Sequence, residues 1–357
     1  MVSANPPAGA NEGSLMRIFV VVFLASALIT AGLRRLFVQH GLIDHPNARS
    51  SHSVPVPRGG GVGIVVAFLS AVFWVLEKHL IPDRLAWALI GGGLVIAFVG
   101  FLDDRFKLAR RPRLVVHSFA AAWAVWCIDA MRPAQFGGGT DFSDWVRRCA
   151  AFVALVWLTN LFNFMDGIDG LAGMEAVCVS GLGAFLLLRD GLLSGVELSL
   201  VLCAASLGFL VWNWPHAKIF MGDVGSGFLG FTLGTLSLFY SKTNSSLVWP
   251  WLILLAAFVV DATITLLRRI LSRARWYEAH RSHAYQHAAK ALGSHAKVTL
   301  VVAAINIGWL FPLAWAASHY SEAAPIFAVV AVIPLVYLTL RFEAGREWPS
   351  SGLVSQD

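Results

Sequence analysis

A chain of 357 residues that is 57% hydrophobic and only 13% charged cannot clothe a soluble surface of its size, because soluble proteins carry about 25% charged residues. The same figures exclude a disordered chain, a collagen-like repeat and a disulfide scaffold, and the net charge of +6 is scattered over short loops rather than gathered into a nucleic-acid-binding stripe. An all-α polytopic membrane protein remains.

In chain order, residues 1–16 form a small tail containing Pro, Gly and Ala. Apolar runs long enough to cross ~30 Å of hydrocarbon then begin near residues 17, 60, 86, 114, 149, 171, 196, 226, 248, 298 and 324. About eleven spans therefore fill 17–341 as a single domain, and 342–357 is a second short tail. Arg34 and Arg35 follow the first run, whereas no Lys or Arg precedes Arg17, which is the reverse of a cleaved signal. The connection at 132–148, with Gly137–Gly139, reads as an ordinary flexible loop.

Numbering the connections alternately puts 19 Lys and Arg on one side and 8 on the other. Positive charge collects on the cytoplasmic side, so the N-terminus is expected outside. Trp87, Trp145, Trp249 and Trp276 lie near span ends as an aromatic belt. Cys127, Cys149, Cys178 and Cys203 form no CxxC pair and read as reduced packing residues.

Ionisable groups beside membrane spans are costly and mark function by default. Here they collect at span ends on the side expected to be cytoplasmic. The first loop supplies Asp44, Arg49, His52 and Arg58 before Gly59–Gly61, and the third span ends in Asp103 and Asp104. The fifth runs into Asn163, Asp166 and Asp169, whose spacing would give one broad helical face. After the seventh come Asn213, Lys218 and Asp223, and after the ninth His280, Arg281, His283 and His287. Short, stiff Asp beside Asn is the ligand chemistry of a hard divalent cation such as Mg2+. Two carboxylates ~6 Å apart repel by roughly 3 kcal/mol at an effective dielectric of ~20. Such a cluster needs a metal, protons or basic partners. Arg and His suit phosphate oxygens, so the combination points to phosphoryl transfer with a lipid partner at the membrane surface.

Each signal has a plainer explanation beside it. Gly59–Gly63 matches neither phosphate-loop pattern, and close helix packing explains it as well as phosphate contact does. Gly91–Gly93 reads as packing alone. The spacing of His280, His283 and His287 would align all three on a helix, but no Cys, acid or H-E-x-x-H accompanies them for zinc. Asp261, about two turns before Arg268 and Arg269, reads as a structural partner to an arginine or as a proton relay, with the structural or site-adjacent role favoured. Glu77, Asp129, Asp190 and Glu197 read as outer interfacial charges.

The stretches NFMDGIDG at 163–170, FMGDVGS at 220–226, LDD at 102–104 and AHRSHAYQ at 279–286 resemble the polyprenyl-phosphate N-acetylhexosamine-1-phosphate transferases. RSSH and PRGGG in the first loop fit the same pattern. The resemblance implies transfer of a sugar 1-phosphate from a UDP-N-acetylhexosamine to undecaprenyl phosphate, giving a lipid diphosphate sugar and UMP at the cytoplasmic face of the bacterial inner membrane. It implies Mg2+, with Mn2+ as an alternative ion. Carried over residue by residue, Asp103 and Asp104 match the acidic pair, one of them a candidate base and Asp104 also a metal ligand. Asp223 matches the metal-binding acid. Asp166 and Asp169 match catalytic positions, with Asn163 on the same polar face and Asn213 near the nucleotide. His280, Arg281 and His283, with His52 and Arg58 of the first loop, are expected on phosphates or sugar.

The His-Arg-Ser-His loop departs from the consecutive histidines of the muramyl-pentapeptide translocase branch. The first loop also lacks that branch's Thr-Pro-x-Met-Gly-Gly. The likeness is closer to the branch that starts O-antigen and other surface polysaccharides. A homodimer is a candidate assembly by family analogy alone. An ion-coupled carrier and a non-catalytic lipid-sugar binding protein are the rival readings.

Overall fold

The computed structural model describes residues 12–44, 54–129, 142–275 and 280–346. Expectations placed on Arg49, His52, Gly137–Gly139, Trp276 and the chain ends lie outside these residues.

Every apolar run read from the sequence lies on a helix. The first is α1 (Glu12–Gln39), followed by α2 (Val62–Glu77) and by α3 (Asp83–Trp87), which continues through a π-helical turn into α4 (Gly93–Phe106). Then come α5 (Arg110–Asp129), α6 (Phe142–Met165), α7 (Leu171–Arg189), α8 (Leu193–Asn213) and α9 (Asp223–Thr243). The chain closes with α10 (Val248–Leu254), α11 (Ala256–Leu271), the short α12 (Ala284–Leu292), α13 (His295–Ile305), α14 (Phe311–His319) and α15 (Ala324–Arg341).

Among the described residues, seven stretches are long and apolar enough to cross a bilayer unaided, and the pair α10–α11, bent by 67°, makes an eighth if it is one broken span. Three of the eleven expected spans differ for separate reasons. Helix α2 is only 16 residues long, α5 opens on Arg110, Arg111 and Arg113, and α9 mixes Gly, Ser and Thr with its apolar residues. The molecule is thus a mostly helical, multi-pass membrane protein.

Helix α9 is the axis of the bundle, with 17 of its 21 residues buried. It is flanked by α4 and α6, and small residues allow close approach where no hydrophobic drive operates between helices in lipid. Gly61 at the start of α2 touches Gly225 backbone to backbone, and a Cβ on Gly100 of α4 would stand 2.6 Å from the Asp223 carbonyl oxygen. Gly91–Gly93 meet Trp123, Phe231 and Phe228, which bears out packing as their role. The cysteines are all free, and Cys127, Cys178 and Cys203 are buried.

The first loop is stitched to the start of α9. Strand β1 (Ile43–Asp44) pairs antiparallel with β2 (Val56–Pro57), and Arg58 bridges in parallel to Phe220. The amides of Gly59 and Gly60 donate to the Phe220 carbonyl at 3.1 and 2.9 Å, and that of Gly61 to Met221 at 2.9 Å. The glycine run therefore spends these N–H groups on the chain itself.

Candidate active site

The stitching places Arg58 beside the first turn of α9, where four helices contribute to one polar cluster. Asp104, at the end of α4, turns its carboxylate onto that turn and accepts from the N–H groups of Asp223 at 2.9 Å and Val224 at 3.2 Å. It thereby caps a neighbouring helix, satisfying donors that lack an intrahelical partner. Gly222 makes this approach feasible: its φ is +78°, and a Cβ there would run into the Asp104 carboxylate.

Asp223 is consequently aimed at two arginines. Arg58 bonds its Oδ1, while Arg113 of α5 reaches its Oδ2 at 2.6 Å. Arg58 also meets Asp104 at 2.8 Å, and Arg113 pairs with Asp103. Asn163 and Asp103 complete the hydrogen bonding around Asp223. The Arg58 side chain keeps 41% of its surface exposed; the partial desolvation of its guanidinium disfavours the charge, but Asp223, Asp104, Asp44 and Asp166 outweigh it and hold the group more firmly protonated than usual. Asp166 lies near enough to sense Arg58, Asp223 and Asp104. Burial raises its carboxyl well above the ordinary range against the pull of Arg58, and the neighbouring acids add to the rise.

Helix α6 stops at Met165, which corrects the single helical face expected for Asn163, Asp166 and Asp169. The chain turns at Asp166, and Asp169 faces a different set of partners. Its Oδ2 accepts from the Ala217 N–H at 3.1 Å and lies 3.4 Å from His295 Nδ1. Burial alone would raise the Asp169 carboxyl, but His295 and the Ala217 amide hold it below its ordinary range. Asn213 is buried and wholly engaged with backbone, accepting from Gly170 N–H and donating to the Ile219 carbonyl, both at 2.9 Å. Both residues thus brace the turn after α6 against the loop 214–222. Asn213→Ala would strand one buried donor and one buried acceptor, and the expected loss is about 2 kcal/mol, read as a lower unfolding temperature in detergent. An unchanged unfolding temperature would refute the brace.

The histidines also depart from a shared helical face, because α12 begins only at Ala284 with His283 at its N-cap. Asp261 of α11 organises this connection. Its carboxylate accepts from the Ala284 and Tyr285 amides at 3.0 Å each and from Thr265, and lies 3.3 Å from His283 Nδ1. A carboxylate only accepts, so His283 donates through Nδ1 and turns Nε2 the other way. His280 stacks on His283 with ring centres 5.1 Å apart, and its Nδ1 meets Ser282 Oγ at 2.9 Å. Burial, His283 and Arg269 push the His280 imidazole down to about 3, so it is neutral at physiological pH. Tyr285 joins the two regions, donating its hydroxyl to the Phe164 carbonyl at 2.8 Å. Arg281 lies in the same connection, near Tyr285. His287 points elsewhere, to the Phe342 carbonyl.

The structure therefore brings Arg58, Asp103, Asp104, Asn163, Asp166 and Asp223 into one cluster. It sets His280 and His283 against the adjoining turn, and uses Asp169 and Asn213 as supports. Sequence reading missed Arg113, hidden in a basic run that counted only toward orientation, and His295, which holds Asp169. Among the described residues no three acidic or His groups already converge as metal ligands; the two arginines stand between the acids. The donor set suits a hard cation: with an ion bound and all four carboxylates ionised, they would exceed the two guanidinium groups by two negative charges. Of the acids read as outer interfacial charges, Asp129 pairs with Arg148 and Lys242 and Asp190 bonds Asn244 at the far end of the bundle, whereas Glu197 is buried, which corrects its reading as an interfacial charge.

The model of glycosyl transferase family 4 matches residues 86–241, the stretch that carries Asp103 to Asp223. A Bacillus subtilis protein described as a probable undecaprenyl-phosphate N-acetylglucosaminyl 1-phosphate transferase is 32% identical over 305 residues, covering 83% of this chain and 82% of the relative. A decaprenyl-phosphate N-acetylglucosaminephosphotransferase of Mycolicibacterium smegmatis is 31% identical, covering 72% and 71%. The undecaprenyl-phosphate alpha-N-acetylglucosaminyl 1-phosphate transferase of Escherichia coli K12 is 26% identical over 92% of this chain and 90% of its own. With the acids and arginines of four helices and the first loop gathered at one end of the bundle, these likenesses leave the carrier and binding-protein readings without support: the chain belongs to the polyprenyl-phosphate N-acetylhexosamine-1-phosphate transferase family.

Proposed function

We propose that this phosphosugar transferase moves N-acetylhexosamine 1-phosphate from a UDP-sugar onto undecaprenyl phosphate, with UMP as the leaving product. The relatives' names make N-acetylglucosamine the first sugar to test. The observation that carries the reading is the meeting of Asp103, Asp104, Asp166 and Asp223 with Arg58 and Arg113 at one end of the bundle. In the reaction an acceptor phosphate oxygen forms a bond to the β-phosphorus of the donor, and the bond from that phosphorus to the bridging oxygen breaks, the oxygen and its electron pair leaving with UMP.

Two anions must approach each other, so the site has to offset their repulsion. Arg58 and Arg113 are positioned to take phosphate oxygens, and each keeps a carboxylate that fixes its orientation. Asp223 with Asp104 and Asn163 would hold Mg2+, or Mn2+ in its place, and a bound ion supplies charge neutralisation on the diphosphate. The acceptor phosphate is already ionised near neutral pH, so alignment matters more than proton removal. Asp103 and Asp166 are the carboxylates left to orient it. His280, neutral, and His283 are set to hydrogen-bond the donor's phosphates or sugar, with Arg281 beside them.

The charge bias supports placing this end of the bundle in the cytoplasm and the N-terminus outside. Eleven spans, with α2, α5 and α9 crossing among their neighbours, fit that topology in a bacterial inner membrane. Initiation of O-antigen or another surface polysaccharide is the pathway class we assign.

The test is UMP release by purified protein in detergent, given undecaprenyl phosphate, Mg2+ and one UDP-N-acetylhexosamine at a time. Release is expected to need lipid and metal together and to stop with EDTA. Folded protein that releases no UMP from any donor, or releases it without lipid, would overturn the assignment.

A further inference from the structure

The connection bearing His280 and His283 is held from two sides. Asp261 of α11 grips it at His283, Ala284 and Tyr285. The second grip comes from the turn after α15. There the Gly345 N–H donates to the Ser282 carbonyl at 2.6 Å, and His287 Nδ1 donates to the Phe342 carbonyl at 2.7 Å. Ala344, between them, has no exposed surface.

The turn is also seated on α11. Gly345 has φ +83°, and a Cβ there would come within 2.8 Å of Arg268 Cβ and 3.2 Å of the Thr265 carbonyl oxygen. No side chain fits without moving it. Ser282 links this grip to the site. Its carbonyl takes the Gly345 amide, while its hydroxyl meets His280 Nδ1 at 2.9 Å and Arg269 Nη1 at 3.4 Å. A shift at Gly345 therefore reaches His280 through one residue, whereas His283 keeps its own anchor on Asp261.

We propose that residues 342–346 form a latch that positions His280, through Ser282, for contact with the donor substrate. This rests on the reading that places the histidine pair on the donor. Gly345 and His287 are positioning residues in this arrangement, remote from the reacting atoms.

The experiment uses full-length Gly345→Ala and His287→Leu proteins in detergent, beside His280→Ala and the Gly345→Ala/His280→Ala double variant. Initial rates of UMP release with UDP-N-acetylglucosamine (or the donor found active in the panel) give KM for donor and acceptor. Tryptic cleavage after Arg273 and Arg275 reports the hold on the connection, and the unfolding temperature controls for global damage. Each latch variant should raise donor KM about tenfold with kcat within about twofold. Acceptor KM should stay put, the unfolding temperature should fall only by the few degrees that one strained turn position or one lost hydrogen bond costs, and cleavage should quicken. Because the latch acts through His280, adding Gly345→Ala to His280→Ala should bring little further change.

Unchanged donor KM in both latch variants, or full additivity with His280→Ala, would overturn the proposal. If His280→Ala itself leaves donor KM untouched while Gly345→Ala still quickens cleavage, the latch holds the connection but the histidine–donor reading falls. The catalytic role of the latch then falls with it.

Discussion

Asp223→Asn is expected to lower turnover on the order of 10^3-fold, about 4 kcal/mol of transition-state stabilisation, with little change in unfolding temperature. The residue is buried at the start of α9, and its two oxygens serve Arg58 and Arg113. Asn keeps the volume but removes one negative charge at the point where the arginines and a metal would meet the phosphates. Losing one partner of a buried ion pair is usually destabilising by about 3–5 kcal/mol. Here each arginine retains a second carboxylate, Arg58 on Asp104 and Arg113 on Asp103, and Arg58 is partly solvated. The fold should therefore survive a change that the chemistry does not. UMP release and a thermal melt on the same preparation decide it: near-normal turnover would remove Asp223 from the reaction.

Asp104→Ala should damage both. Its carboxylate holds the Asp223 and Val224 amides as well as Arg58. Without it two amides at a buried helix start lose their acceptor, at about 1–3 kcal/mol each, and Asp223 loses its fixed direction. The expected result is a loss of about 2–6 kcal/mol in stability, together with turnover reduced by on the order of 10^2-fold. Asp104→Asn keeps one acceptor oxygen and should recover part of the stability. Equal unfolding temperatures for the Ala and Asn variants would show that the cap contributes nothing.

The positions of the helices were legible because apolar runs of bilayer length are a strong signal. The number that cross unaided was not, since α5 and α9 owe their place to neighbours rather than to their own hydropathy. The site was legible to the extent that ionisable residues stand out among apolar spans. Asp103, Asp104, Asp166, Asp223 and Arg58 were all named from that contrast. What sequence spacing cannot show is whom a polar side chain faces. Asn213 and Asp169 looked like their neighbours but turn onto backbone amides and His295. The helical spacing of the histidines misled because Asp261 stops α12 at Ala284 by taking its first amides. Arg113 was concealed by adjacent arginines, and only the crossing of α5 beside α9 singles it out.

Helix α9 has protein on nearly every side, whereas the hydrophobic stretch of α1 is only 17% buried. The two helices therefore answer to different solvents. On α1 the lipid tolerates changes of size and rejects charge. On α9 the surrounding backbone rejects added volume, as at Gly225 against Gly61 and Gly230 against the Leu158 carbonyl, and accepts hydroxyls that bond within the helix, as Thr235 does to Phe231. Mutational tolerance along the chain should follow bulk at the centre of the bundle and polarity at its rim.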